Sequence, residues 1–354
     1  MATTSGTTAP ARAPAGGRAP TGPTPGGAAV GVLRRVLTLR EGSIIFVTLI
    51  AAIYFAINAH SFLTYDSFKN LLPYFAPFAI LAAGEVFVMI NGEIDLSIGG
   101  VLLLSPFIFE KLADSAGFAI VPALIITALV CMLIGAFNGF FVAIVGISSF
   151  VVTLGTLFAL SGVTLVISHA APVATPGTAV IGVNTFSQIF GGGTYSELIW
   201  ALAIVAILQI ALTFTRWGIY TVAVGGNRHG AAEAGINVPW VLIRNFVVCA
   251  LCAGLVGILE AVRTTTATPD PSGANVFLFE GIAAAVIGGT LLTGGSGTVI
   301  GALIGALFLG ILNQGLIIQG TSADYLDLYL GIAILIAMTL NVFVQRVRKG
   351  AIGG

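Results

Sequence analysis

Two carboxylates stand where carboxylates are costly. Glu85 lies inside an apolar run over 73–90, and Asp95 sits in the segment Asn91-Gly92-Glu93-Ile94-Asp95-Leu96-Ser97-Ile98-Gly99 that follows it. A charged group at membrane depth faces protein or water, and it marks a solute or ion path or a structural pair. Asp95 precedes the next apolar run, so its oxygens can accept from the first amides of a helix, with Ser97 offering a second oxygen to the same amides. The segment reads as a capped turn that orients two spans, or as the lining of a solvated vestibule where irregular backbone is tolerated. Glu85, Asn91, Asp95, Ser97, Asn138 and Asn313 form the candidate pathway set, and Thr153, Thr156, Asn245 and Thr290 share their apolar setting. Asn138, Thr153, Thr156, Asn245, Thr290 and Asn313 each read alone as a satisfied packing group before a solute contact. Glu260 and Arg263, three apart, are expected to pair on one helix face.

Other chemistries find little support. Cys249 and Cys252 have C-x-x-C spacing, but free cysteines in apolar helices are usually small packing residues. His60, His169 and His229 are far apart, so no metal site is expected. A phosphate-binding loop needs a lysine after a glycine, and none of Lys69, Lys111 and Lys349 follows one. This chain is therefore expected to be no enzyme and to bind no cofactor, with no nucleic-acid partner.

The elements that must position these groups are long and apolar. Hydrophobic residues are 57% of the sequence and charged residues 8%, against roughly 25% charged in soluble domains. A helix needs about 20 apolar residues to cross the hydrocarbon layer. Spans are expected near 43–59, 73–90, 97–112, 119–145, 150–168, 198–215, 240–261, 277–292, 298–318 and 325–344, giving an all-α polytopic membrane protein with about ten transmembrane helices. With both termini cytoplasmic, 11 Lys and Arg fall inside and 3 outside, as the positive-inside rule requires. Residues 1–40 read as a disordered cytoplasmic tail, 41–345 as the transmembrane domain, and 346–354 as a basic cytoplasmic tail. Gly297, Gly301 and Gly305 form a stripe that lets helix backbones approach closely.

The longest internal connector on the basic side reads Gly225-Gly226-Asn227-Arg228-His229-Gly230-Ala231-Ala232-Glu233-Ala234-Gly235-Ile236-Asn237. Its Ala-Ala-Glu-Ala core favours a short helix, and Gly235 is a suitable terminator. Such a helix makes a compact knob that can seat in a groove on a soluble partner. At these residues, and at Asn91–Gly99, Ile287–Thr290, Thr293–Gly297 and Leu312–Leu316, the chain resembles the permease subunits of ATP-binding-cassette importers for ribose, xylose, arabinose and galactose. The resemblance runs from about residue 43 to 345. One departure is that Gly230, not a glutamate, precedes Ala231-Ala232, and the acid, Glu233, follows.

The resemblance implies a type II importer permease that carries a monosaccharide or polyol across a plasma or inner membrane. Gly225, Gly226, Asn227, Arg228, Ala231, Ala232, Glu233 and Gly235 would form the loop that docks a cytoplasmic ATPase, where ATP and Mg would bind. It also implies a second permease copy, the same or a paralogue, and an extracytoplasmic sugar-binding protein. The rival readings are an ion-coupled secondary transporter resting on Glu85 and Asp95, and a related permease for nucleosides.

Overall fold

The computed structural model describes residues 41–175 and 185–352. The expected tail over 1–40 lies outside the described residues, as do 353–354. The fold is a helical bundle. In chain order it holds α1 (Gly42–Asn58), α2 (Tyr65–Leu71), α3 (Ala76–Ile90), α4 (Ile98–Glu110), α5 (Ile120–Phe140) and α6 (Ser149–Ile167). There follow α7 (Ser196–Phe214), α8 (Arg216–Gly226), α9 (Arg228–Glu233), α10 (Val238–Arg263), α11 (Pro271–Ile287), α12 (Val299–Ile318) and α13 (Ala323–Ile352). Two short strands, β1 (Val173–Ala174) and β2 (Thr266–Ala267), pair antiparallel.

Six helical stretches are long and apolar enough to cross a membrane: Tyr65–Ile90, Ile120–Val145, Ser149–Ile167, Ser196–Phe214, Val238–Arg263 and Val299–Ile318. Two shorter apolar helices, α1 and α11, join them. α3 is the axis, and every residue from Ala76 to Ile90 is buried. A helix apolar on all sides is stable only when it is enclosed, and α3 packs against α10, α11, α12 and α7. The outward faces of α5, α6 and α7 are apolar instead, with Leu133, Val166 and Phe214 at 68%, 73% and 79% exposure. Apolar surface on that scale fits a lipid-facing wall.

Small residues set the closest approaches. A Cβ on Gly139 of α5 would lie 2.6 Å from Ile243 Cα on α10, and one on Gly305 of α12 would strike the Ala284 carbonyl of α11. Backbones that meet this closely need a residue without a side chain, because helices in lipid associate by packing rather than by apolar burial.

The helix bounds differ from expectation at three places. The eighth expected span, 277–292, runs as α11 over 271–287. Asp270 caps its start through Ser272 N, with Pro271 in the first turn, and Gly289 at φ +95° turns the chain beyond its end. The stretch before residue 76 carries α2 as well, because Pro73 interrupts the ladder between α2 and α3. The expected tail from 346 continues α13 as far as Ile352.

Candidate functional site

The connector between α3 and α4 draws several helices together. Gly92 leaves α3 at φ +75°, a left-handed geometry that favours glycine. Asp95 N then donates to Glu85 Oε1 at 3.0 Å, back onto α3. Ser97 donates to Asp95 Oδ1 twice, from N at 2.9 Å and from Oγ. Asn138 of α5 donates from Nδ2 to Ser97 Oγ at 2.8 Å, and Thr156 of α6 donates to Asn138 Oδ1 at 2.7 Å. Leu96 N and Ile94 N donate to Thr153 Oγ1 and Ser149 Oγ, both on α6. Cys249 of α10 donates from Sγ to Glu85 Oε2 at 3.1 Å.

Glu85, Asp95, Ser97, Asn138 and Thr153 are each 0% exposed. Buried polar groups are tolerable when they satisfy one another, and this chain of donors and acceptors does most of that. Among the described residues Asp95 Oδ2 is left without a partner. Burial raises the Asp95 carboxyl to about 6, with the two hydrogen bonds from Ser97 pulling the other way. The expected capping role is corrected here. Asp95 accepts only from Ser97, one residue before α4, and Ser97 Oγ donates to Asp95 rather than accepting from helix amides.

A second set of contacts ties this connector to the α8–α9 region. Thr215, Asn227 and Asn237 cap α8, α9 and α10 through their side-chain oxygens. Gly235, at φ +82°, ends the short helix α9 as its residue type suggests. A Cβ on Gly225 would run into the Ile90 carbonyl oxygen. Gly295 N donates to that same carbonyl at 2.7 Å. A Cβ on Gly294 would sit 2.9 Å from Gly92 N. Three connectors therefore meet backbone to backbone.

Arg228 adds a side-chain tether. Its Nη2 donates to the Asn91 carbonyl at 2.7 Å and pairs with Glu93 Oε1. Asn91 Nδ2 donates to the Thr221 carbonyl at 2.8 Å, and Asn245 Nδ2 donates to Asn91 Oδ1 and Phe87 O. Trp217 Nε1 donates to Asn245 Oδ1 at 2.7 Å. Ala231 is buried beside Val224 and Val241, while His229, Ala232 and Glu233 are exposed. The short helix thus presents a polar outer face and is fixed behind it to the α3–α4 connector.

Of the sequence-derived pathway set, Glu85, Asp95, Ser97 and Asn138 form one buried network, and Asn91 belongs to the neighbouring one. Asn313 belongs to neither; it lies late in α12, with Oδ1 unpartnered among the described residues. Gly301 and Gly305 pack against Gly288 and Ala284 within the chain, whereas Gly297 lies before α12, against Thr290 and Ile90. Glu260 and Arg263 pair, and Arg263 also reaches Glu197 at 3.2 Å. The contacts of Thr221, Trp217 and Ser149 and the Arg228 tether were not read from sequence, since Thr221, Ser149 and Arg228 find partners more than 50 residues away and Trp217 meets Asn245 28 residues on, none of which leaves a local signal. All three cysteines are free and buried. Among the described residues no three His, Cys, Asp or Glu side chains gather in a metal-binding group.

Comparison with known proteins places this geometry in context. Residues 67–338 match the family model described as branched-chain amino acid transport system / permease component. The chain is 35% identical to the xylose/arabinose import permease of Sulfolobus acidocaldarius, over 86% of each protein. It is 33% identical to the ribose import permease of Escherichia coli, over 86% of this chain and 94% of that one. It is 32% identical to the D-allose transport system permease of the same species, over 87% of this chain and 93% of that one. No solved structure matches.

Proposed function

Because the chain belongs to the family of membrane permease components described as branched-chain amino acid transport system / permease component, we propose that it is the membrane-spanning subunit of an ATP-driven importer for a monosaccharide or related polyol. Transport rather than catalysis is its role, and ATP hydrolysis falls to a separate subunit. The sugar reading rests on its relatives, named for xylose and arabinose, ribose and D-allose.

The observation that carries the mechanism is the tether of α9 to the α3–α4 connector. A cytoplasmic ATPase dimer that closes on ATP would push on Ala232 and Glu233. Arg228 and the Gly225 backbone contact would pass that displacement to Asn91–Ser97, and through it to α5, α6 and α10. A second permease copy and an exported sugar-binding protein complete the assembly.

The full reading has ten spans, adding α1, α4, α11 and α13 to the six long stretches, with both termini cytoplasmic. Two groups of contacts support the alternation it needs. The connectors 91–97, 215–237 and 288–298 touch at one end. At the other, β1 pairs with β2, and Tyr65 and Tyr195 hydroxyls lie 2.8 Å apart.

The deciding experiment is uptake into proteoliposomes with and without the partner ATPase and binding protein, using xylose, arabinose, ribose, D-allose and leucine, each with ATP or with an imposed proton gradient. Uptake of a sugar that needs ATP and both partners is the expected result. Uptake by this chain alone on a gradient would make it an ion-coupled carrier, and leucine uptake would move the substrate to amino acids.

A further inference from the structure

A cavity of about 550 Å³ with a mixed polar and apolar lining opens at the end of the bundle opposite the α8–α9 loop, between the entry to α3, the end of α10, and α11, α12 and α13. Ligand sites for small molecules commonly span roughly 300–1,000 Å³. Its lining combines groups from helices distant in sequence: Phe277 and Glu280 of α11, Asn313 and Gln314 of α12, and Asp327 of α13.

Several of these groups lack partners. Gln314 is only 4% exposed, yet its amide makes no hydrogen bond among the described residues. Asn313 Oδ1 is buried and unpartnered. Glu280 makes no hydrogen bond or ion pair among the described residues. Buried polar atoms without partners are rare in folded proteins and call for an explanation. Arg263, which also lines the cavity, is already engaged by Glu197 and Glu260, so among the described residues the cavity offers no free cation for an anionic ligand. What it offers is two carboxylates that accept, the Asn70, Asn313 and Gln314 amides that both donate and accept, the Tyr74 hydroxyl, and the Phe277 ring, packed at 5.2 Å from Phe78.

That combination suits a neutral polyhydroxylated ligand. Hydroxyls donate to carboxylates and exchange hydrogen bonds with amides, while an aromatic ring gives the apolar C–H face of a sugar a surface to rest on. We infer that this cavity is a sugar-holding station within one permease subunit, with Gln314, Asn313, Glu280 and Asp327 contacting the hydroxyls. The inference rests on the sugar-import reading and locates where in this chain the sugar is held.

The test uses the assembled complex of this chain with its ATPase and binding protein in proteoliposomes, with xylose, arabinose, ribose and D-allose as probes. Gln314→Leu, Glu280→Gln and Asp327→Asn are each expected to lower ATP-driven uptake at saturating sugar at least fivefold. Co-purification of the ATPase should stay within twofold. Val276→Trp, which fills the cavity from an exposed position, is expected to do the same. If Gln314→Leu fails to insert, the exposed Asp327 and Val276 variants still decide the matter.

Sugar uptake by the unmodified complex with uptake within twofold in all variants overturns the cavity alone. No ATP-driven sugar uptake by the unmodified complex overturns both readings. Variants that separate the permease pair on size-exclusion chromatography would show the cavity to be a seat for the second copy, and would overturn it as a sugar station.

Discussion

Arg228 holds two acceptors of the α3–α4 connector at once, the Asn91 carbonyl and the Glu93 carboxylate. Its own side chain is 45% exposed, so the pair contributes little stability, on the order of 0–1 kcal/mol. On the proposed mechanism its value is mechanical. Arg228→Ala is expected to leave folding and ATPase docking intact, with transport per ATP hydrolysed falling about tenfold, and Glu93→Gln to act in the same direction. The charge exchange Arg228→Glu with Glu93→Arg should recover part of the loss; equal coupling ratios in all four proteins would dismiss the tether. The Ser97 hydroxyl works differently, because it is 0% exposed and joins Asp95 to Asn138. Ser97→Ala should cost about 1–3 kcal/mol, as expected when buried partners lose a hydrogen bond. Thermal unfolding of Ser97→Ala, Asn138→Ala and the double variant should show a coupling of about 0.5–3 kcal/mol, and strict additivity would mean the two do not act as one network. At this scale the sequence was partly readable. Glu85 and Asp95 stood out because charge is costly in apolar runs, and Asn138 stood out as a polar group among apolar ones, but which groups meet was not readable, because Asn138 reaches Ser97 and Cys249 reaches Glu85 only after folding brings α5 and α10 alongside.

The elements were more legible than their joints. Apolar length located the helices, since a lipid-spanning stretch leaves a mark that local propensity does not override. Their ends depended on finer chemistry. Pro73 splits the approach to α3. Asp270 and Pro271 start α11 about two turns before the apolar run begins in earnest, and Gly288-Gly289 ends it early. The glycines of α8 divide in the same way. Gly225 lies against the Ile90 carbonyl, while nothing lies within 4 Å of the space a Cβ on Gly226 would occupy. Gly225→Val is expected to cost about 1–3 kcal/mol by overpacking and to reduce recovery of folded protein, while Gly226→Ala should be recovered like the parent. Similar melting temperatures for the two would contradict the close approach of α8 to the end of α3.

At the scale of the whole molecule, charge distribution and contact pattern agree on one arrangement. Among the described residues, Arg216, Arg228 and Arg244 lie at the end that carries α8 and α9, and the other end carries β1 and β2. Glu233 and Thr194, which belong to opposite ends, provide a direct test. With the native cysteines buried, a single cysteine at Glu233 should react with an impermeant maleimide only in inverted vesicles, and one at Thr194 only in right-side-out vesicles. Labelling of both from the same side would break the alternation. Import itself could not be read from the helix pattern, which any carrier shares. It became legible only through the resemblance that the Gly225–Asn237 connector and the glycine turns near Gly294 carry to importer permeases.

The caps at Asn227 and Asn237 have a practical corollary. Between them lies a self-contained helix with its own start and stop, joined to the rest by Arg228 and by the Ala231 contact. Such a segment behaves as a cassette. Transplanting 227–237 from a related permease, while keeping Gly92, Gly225 and Gly294 in place, should re-address this protein to the donor's ATPase without rebuilding the bundle. A graft that extends back through Gly225 would cut across the seam where three connectors meet, and would have to bring the matching turns with it.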